Sequence, residues 1–299
     1  MPHPIATNAS NNNMPPANRS VVILIGGLRS SELAWKTLYD NVLDPNSADL
    51  ILMTNDNSAY PNSSLFDRAK FVWHYHQFDD WADAVDLVNG TGWRITHLPK
   101  FREWYPNEEP GKNRSILFRG IKGHGHVLGI IIFMIRYFLI QAIEYHGILS
   151  KYDIFVVTRT DHYYLCPHMF SKDKCNVSDR KVMVPDGEVY FGITDRHLIA
   201  SRDTLIDALD LITPLITAPY VFDHEKHHNS ERYIWAARTD KKLIVKEFGS
   251  CSLALPRATL PGGGLQKKNC QVHRDYSSSM RKNTSRRRMD IQDFGLIVR

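Results

Sequence analysis

Short apolar runs that end in polar side chains are the feature that most restricts the fold of this 299-residue chain. Three of these runs, residues 21–25, 50–54 and 154–158, have the length and composition of buried strands. A strand that is apolar along its whole length is typical of a parallel sheet that is covered on both faces. Helical stretches alternate with the runs, and this order predicts an α/β fold with a mostly parallel central sheet flanked by helices.

Polar residues follow each of the three runs directly. They are Gly26, Gly27, Arg29, Asn55, Asp56, Arg159, Asp161 and His162. Ligands in open α/β sheets bind just past the carboxyl ends of the strands, so these residues are candidates for a binding site. A solvated turn, or a structural ion pair between Arg159 and Asp161, is the alternative that the sequence leaves open.

The turn after the first run has the composition of a phosphate site. Gly26 and Gly27 allow the backbone to approach a ligand closely, and Arg29 adds a charged donor. Ser31 is placed to cap a helix that begins at Glu32. The turn is neither a Walker loop nor the dinucleotide fingerprint, because the later glycines and the Lys-Ser/Thr pair are missing. A purely structural turn fits this stretch equally well.

Residues 127–143 form the most apolar stretch of the chain. The stretch is shorter than the roughly 20 residues that a membrane span needs, and Arg136 at its centre is costly in lipid. We therefore expect a helix buried against the sheet, with Arg136 turned toward a polar partner. Trp93, Trp104 and Tyr105 lie in a stretch rich in turn residues, which predicts a long loop that covers the acceptor side of a site as a flap.

The charge of the chain is concentrated near its C-terminal end. The formal net charge is +5, yet residues 265–288 alone hold eight Lys and Arg against one Asp. We expect a disordered leader over residues 1–18, one folded domain over residues 19–257, and a flexible basic tail over residues 258–299. The N-terminal stretch has no apolar core of a signal peptide, so a cytoplasmic location is the default expectation.

The order of these motifs, followed by "FGITDRHLIAS" and "HNSERYIWAA", resembles nucleotide-sugar glycosyltransferases of the GT-A fold, which is Rossmann-like. The resemblance covers about residues 21–256 and is nearest to divergent groups in which Arg-x-Asp replaces the usual Asp-x-Asp. It implies that Asp161 binds a divalent cation, Mn²⁺ or Mg²⁺, which bridges the donor phosphates. It also places Arg159 where the first Asp would stand. The alternative to a metal ion is therefore that Arg159 neutralises the phosphate charge directly. His162 is the candidate second metal ligand.

The resemblance further implies transfer of a sugar from a nucleotide-diphosphate donor to a hydroxyl group of a glycan or glycoconjugate. An inverting reaction needs a carboxylate base, for which Asp195 is the first candidate and Glu231 the second. Asp195 is expected just past a strand at residues 189–193, and Glu231 in the first turn of a helix. Arg196 and His197 are expected to contact substrate.

Two other functions compete with sugar transfer. One is a catalytically silent nucleotide-sugar-binding domain, because the first Asp of the motif is missing. The other is nucleic-acid binding through the basic tail, although we do not expect nucleic acid as a partner because the rest of the chain is close to neutral.

Overall fold

The computed structural model describes residues 19–55, 62–97, 121, 129–170, 180–186, 192–217, 230–248 and 297–298. Its strands are β1 (Ser20–Ile25), β2 (Asp49–Asn55), β3 (Phe71–Tyr75), β4 (Ile154–Arg159), β5 (Lys181–Pro185), β6 (His197–Ser201), β7 (Ile244–Phe248) and β8 (Ile297–Val298). Its α-helices are α1 (Glu32–Leu38), α2 (Ser64–Arg68), α3 (Trp81–Asn89), α4 (Gly92–Thr96), α5 (Gly129–Tyr145), α6 (Arg202–Leu209), α7 (Ile212–Thr217) and α8 (Ser230–Asp240). The predicted leader, and all of the predicted tail except residues 297–298, lie outside the described residues.

The strands form one mixed sheet in the order β7-β5-β6-β4-β1-β2-β3-β8. β3, β2, β1 and β4 are parallel to one another, whereas β6 is antiparallel to both of its neighbours. β7 is parallel to β5, and the short β8 is antiparallel to β3. The predicted α/β class with a mostly parallel sheet is therefore confirmed.

Helices cover both faces of the sheet, which explains why its central strands are apolar along their whole length. In β1, Val21 and Ile23 pack into the core that includes α3, α5 and α8, while Val22 and Leu24 pack into the core that includes α1. All three predicted strands are present, and each is bounded within one or two residues of its predicted ends.

The apolar stretch at residues 127–143 corresponds to α5, which is buried on nearly every face. Arg136 in its middle is only 1 % exposed. Within the described part of the chain, no helix has both the length and the apolar character required to cross a membrane.

The flap prediction is wrong for Trp93, while Trp104 and Tyr105 lie outside the described residues. Trp93 belongs to α4 and is 2 % exposed, and its indole Nε1 donates to Oδ1 of Asp86 over 2.8 Å. The ring is in the core because burying its large apolar surface next to α3 is favourable, and Asp86 satisfies its one polar atom. The glycine and threonine residues just before Trp93 favour turns, so this helix was not predicted from the sequence.

The strand expected at residues 189–193 also needs correction. Gly192 and Ile193, the part of it that the structure describes, are not in a strand. The strand lies further on, at β6, and begins with His197. Because β6 is antiparallel to β4, the residues that precede β6 lie next to the carboxyl end of β4. Asp195 and Arg196 are therefore placed at that end although they come before a strand.

Candidate functional site

The candidate site lies at the carboxyl ends of β1 and β4, where the direction of the chain crossovers reverses. From β1 the chain moves to β2 and β3 on one side, then returns through α5 to β4 on the other side of β1. Such a switch point opens a crevice between the two strand ends, and ligands of open α/β sheets bind there.

The turn after β1 and the segment after β4 are tied together. Thr160 donates from Oγ1 to the carbonyl of Gly27 over 2.7 Å, and the Trp35 indole donates to the carbonyl of Thr160 over 3.0 Å. Gly26 has φ +106°, a conformation that only glycine adopts without strain. Arg29 is exposed beside this turn. Ser31 occupies the N-cap position of α1, but its side chain makes no capping hydrogen bond.

Arg159 and Asp161 form a two-point ion pair at the mouth of this crevice. Nε of Arg159 lies 2.8 Å from Oδ1 of Asp161, and Nη2 lies 2.6 Å from Oδ2. Burial alone would raise the pKa of Asp161, but the hydrogen bonds and charge of Arg159 outweigh it and hold the pKa below its usual value. The same hydrogen bonds raise the pKa of Arg159. Arg159 keeps Nη1 free of hydrogen bonds to any described residue, and its side chain is 34 % exposed.

The reversal of β6 brings two more candidate residues to the same edge. Thr158 of β4 is in register with His197, so the residues just before β6 lie next to those just after β4. The negative charges of Asp161 and Asp195 both act on Arg159. Burial and the charge of Arg159 lower the pKa of Arg196, and Glu231 and Asp161 oppose that change.

Glu231 is held at this edge by the backbone. The amide of Ile193 donates to the carbonyl of Glu231 over 3.1 Å. Gly192 lies so close to the start of α8 that a Cβ there would overlap the backbone of Glu231 and Arg232. Glu231 is the second residue of α8, as predicted, and accepts a hydrogen bond from Ser230 Oγ over 2.9 Å. The structure therefore brings together Arg159, Asp161, Asp195, Arg196 and Glu231.

The other candidates lie further from this cluster. Asn55 ends β2, next to β1, and is half-buried, while Asp56 lies outside the described residues. His197 is 1 % exposed and packs against His168 and Phe248, with ring centroids 5.3 and 5.8 Å away. Its role in substrate binding stays a prediction.

His162 is buried and neutral. Its Nδ1 lies 3.1 Å from Oγ1 of Thr158, and burial lowers its pKa to about 4. The described residues contain no group of three or more His, Cys, Asp or Glu side chains that could hold a metal ion. Both oxygens of Asp161 already bind Arg159. Since Mg²⁺ and Mn²⁺ want several oxygen ligands, the described side chains do not fit such an ion by themselves.

Two arginines are buried behind the edge: Arg136, for which the sequence predicted a polar partner, and Arg238, which the sequence analysis did not single out. Arg136 donates from Nη2 to the main-chain carbonyl of Asp195, and the charge of Asp195 also acts on Arg238 of α8. Spacing is the signal that could have found Arg238, because it continues the apolar face of Tyr233, Ile234 and Ala237.

Comparison with known protein families finds no match for this chain. No curated protein shows significant sequence similarity to it. The crevice next to the glycine turn can bind an anionic ligand through its arginines, and it can offer a carboxylate as a base. The arginines are Arg29, Arg159 and Arg196, and the carboxylates are Asp161, Asp195 and Glu231.

Proposed function

We propose that the chain is a GT-A-like glycosyltransferase that moves a sugar from a nucleotide-diphosphate donor to a hydroxyl group of a glycan or glycoconjugate. The observation that carries the proposal is the charged cluster at the switch point, where Arg159 and Asp161 meet the Gly26-Gly27 turn. The mostly parallel sheet, with the Arg-x-Asp residues at the end of a central strand, supports a GT-A-like fold.

The chemistry of sugar transfer fits these residues. Cleavage of the sugar–phosphate bond leaves negative charge on the diphosphate, which cationic groups must stabilise. In the proposal Arg29 and Arg159 bind the phosphate oxygens, because guanidinium groups match phosphate geometry. Asp161 then acts as a positioning residue, since its two hydrogen bonds fix the Arg159 guanidinium and leave Nη1 for the phosphate.

Asp195 and Glu231 are the two candidate bases of the proposal. The charges of Arg136, Arg159 and Arg238 all interact with Asp195. Glu231 interacts with the charge of Arg196 and lies in the first turn of α8, where the helix dipole alone also favours an acid. Glu231→Gln is therefore the cleaner test of a base, because Asp195 also balances buried positive charge.

The divalent cation is a separate part of the proposal. Mn²⁺ or Mg²⁺ would need Asp161 and further oxygen ligands from the donor phosphates, whereas Arg159 supplies positive charge without a metal. Donor hydrolysis with added Mn²⁺ and with a chelator separates these cases: turnover that survives chelation assigns the charge neutralisation to the arginines.

A thermal-shift series of nucleoside diphosphates and nucleotide-diphosphate sugars tests the binding step. We expect stabilisation by a diphosphate and less by the matching monophosphate, because the second phosphate meets Arg159. Release of free nucleotide from a stabilising donor then tests catalysis. If no diphosphate stabilises the protein, the proposal fails.

A catalytically silent nucleotide-sugar-binding domain is the second candidate. The observation that favours it is that both oxygens of the Asp161 carboxylate are bound by Arg159. It predicts the same thermal shifts without release of nucleotide, under any metal and with any hydroxyl acceptor.

A further inference from the structure

Two arginines are buried where α5 and α8 meet. Arg136 is 1 % exposed and Arg238 is 0 % exposed. The rings of Phe133 and Tyr233, three residues before Arg136 and five residues before Arg238, contact each other with centroids 5.1 Å apart. α5 and α8 lead into β4 and β7, which run in the same direction, so both helices pass along the sheet in the same sense. The charge of Arg136 acts on Arg238, so the two guanidinium groups lie near each other.

Most of the hydrogen-bond donors of these arginines lack an acceptor. Arg136 uses Nη2 on the carbonyl of Asp195, but its Nε and Nη1 have no partner, and neither do Nε, Nη1 and Nη2 of Arg238 in the described part of the chain. A guanidinium carries five N–H donors, and buried polar groups in folded proteins are nearly always paired.

The charge of Asp195 compensates these two cations only in part. Burial and, to a smaller extent, the charge of Arg136 lower the pKa of Arg238 to about 9, although the charge of Asp195 opposes both effects. Both guanidinium groups still carry their charge at neutral pH. Among the described residues, no ion pair joins either of them to a carboxylate. Burying two cations near one carboxylate that forms an ion pair with neither is unfavourable, so a further negative group at this position would stabilise the fold.

We propose that Arg136 and Arg238 form a buried binding site for one small tetrahedral oxyanion of the phosphate class. A carboxylate offers about four lone-pair positions, which is fewer than the unpaired N–H groups of the two guanidinium groups. A tetrahedral oxyanion has more oxygen atoms, and they point in different directions, so it can accept from both arginines. Guanidinium groups also bind phosphate oxygens in two-point geometry. The site is distinct from the crevice, because its residues come from the contact between α5 and α8.

The bound anion has a second effect at the edge of the sheet. Arg136 holds the main chain of Asp195, so an anion that fixes the guanidinium of Arg136 also fixes the segment with Asp195 and Arg196. This inference does not depend on sugar transfer, since it follows from the buried charges alone.

The test uses the full chain and inorganic phosphate at constant ionic strength. Above its dissociation constant, each tenfold increase in phosphate should raise the melting temperature by about 3 to 5 °C. Arg238→Met keeps the length of the side chain without its charge and should abolish the response. Arg68→Met, which removes an exposed arginine of an ion pair, should respond like the wild type. Arg29→Ala should also keep the response, because Arg29 belongs to the crevice.

An anion that is already trapped during expression would hide the thermal shift. Ion chromatography of the acid-denatured wild type should then find about one phosphate or sulfate per chain, and Arg238→Met, where it folds, should carry none. The proposal is overturned if the wild type shows neither a shift nor a stoichiometric anion. It is also overturned if Arg238→Met responds like the wild type, or if Arg29→Ala removes the response.

Discussion

Replacement of Asp161 by Asn tests the centre of the proposed site. The substitution keeps the shape of the side chain but removes the charge that pairs with Arg159 at 2.6 and 2.8 Å. An exposed ion pair contributes about 0 to 1 kcal/mol, and loss of one partner of a fully buried pair costs about 3 to 5 kcal/mol. Asp161 is 13 % exposed and Arg159 is 34 % exposed. We discount the buried value for screening by water and expect a loss of about 1 to 2 kcal/mol.

The effect on ligand binding should be larger than the effect on stability. Without the carboxylate, the guanidinium of Arg159 is no longer held in one orientation, and a charged hydrogen bond to the donor, worth about 1.5 to 3 kcal/mol, is lost or weakened. The affinity for a nucleoside diphosphate should therefore fall by about 10- to 150-fold. Most of the turnover should be lost with it.

Urea unfolding, calorimetry with a nucleoside diphosphate, and donor hydrolysis on one preparation provide the three measurements. Asp40→Asn is the matched control, because Asp40 pairs with Lys36 on the exposed surface of the chain. The control should change stability by at most about 0.5 kcal/mol and should leave binding intact. Full activity and unchanged affinity in the Asp161 variant would refute the reasoning and leave an ion pair with a structural role only.

Three further predictions concern other parts of the site and core. Arg29→Ala should weaken diphosphate binding by about 1.5 to 3 kcal/mol in calorimetry, with little change in melting temperature because Arg29 is exposed; equal affinity would assign the turn a structural role. Gly192→Ala should cost about 1 to 3 kcal/mol, because its Cβ overlaps the start of α8; Gly92→Ala, which meets no atom within 4 Å, is the control. Burial lowers the pKa values of His162 and His168 to about 4, below about 6.5 in the unfolded chain. The unfolded state therefore binds more protons between pH 6.5 and 4, so the free energy of unfolding should decrease as the pH is lowered through this window, by up to about 3 kcal/mol per ring; a constant free energy of unfolding between pH 6.5 and 5 contradicts this.

The central sheet could be predicted from the sequence because its strands are buried on both faces. Residues 21–25, 50–54 and 154–158 are apolar apart from the threonines that end the second and third runs, as expected of strands covered on both faces. The helix at α5 was predictable for the same reason. The polar residues that follow the three runs also indicated that the candidate site lies at the carboxyl ends of these strands.

The part of the site beyond β4 was harder to predict. The sequence before β6 contains charged residues, and only the pairing with β4 reveals that the strand is reversed. Trp93 lies among glycine and threonine residues, so its burial depends on contacts with α3 that are not visible locally. Arg238 is a charged residue that would usually be exposed on a helix, and only its position on the apolar face of α8 indicates that it is buried.

The reversed strand β6 determines when the charged edge can form during refolding. β1 and β4 supply the turn and the Arg159–Asp161 pair, but Asp195, Arg196 and Glu231 arrive from segments later in the chain. Contacts between such distant segments form slowly, because the chain must close long loops first. In a refolding experiment, we expect the far-ultraviolet signal of the helices to recover before this edge is complete. The rate at which anion affinity returns would then measure how fast the later segments pack onto β4.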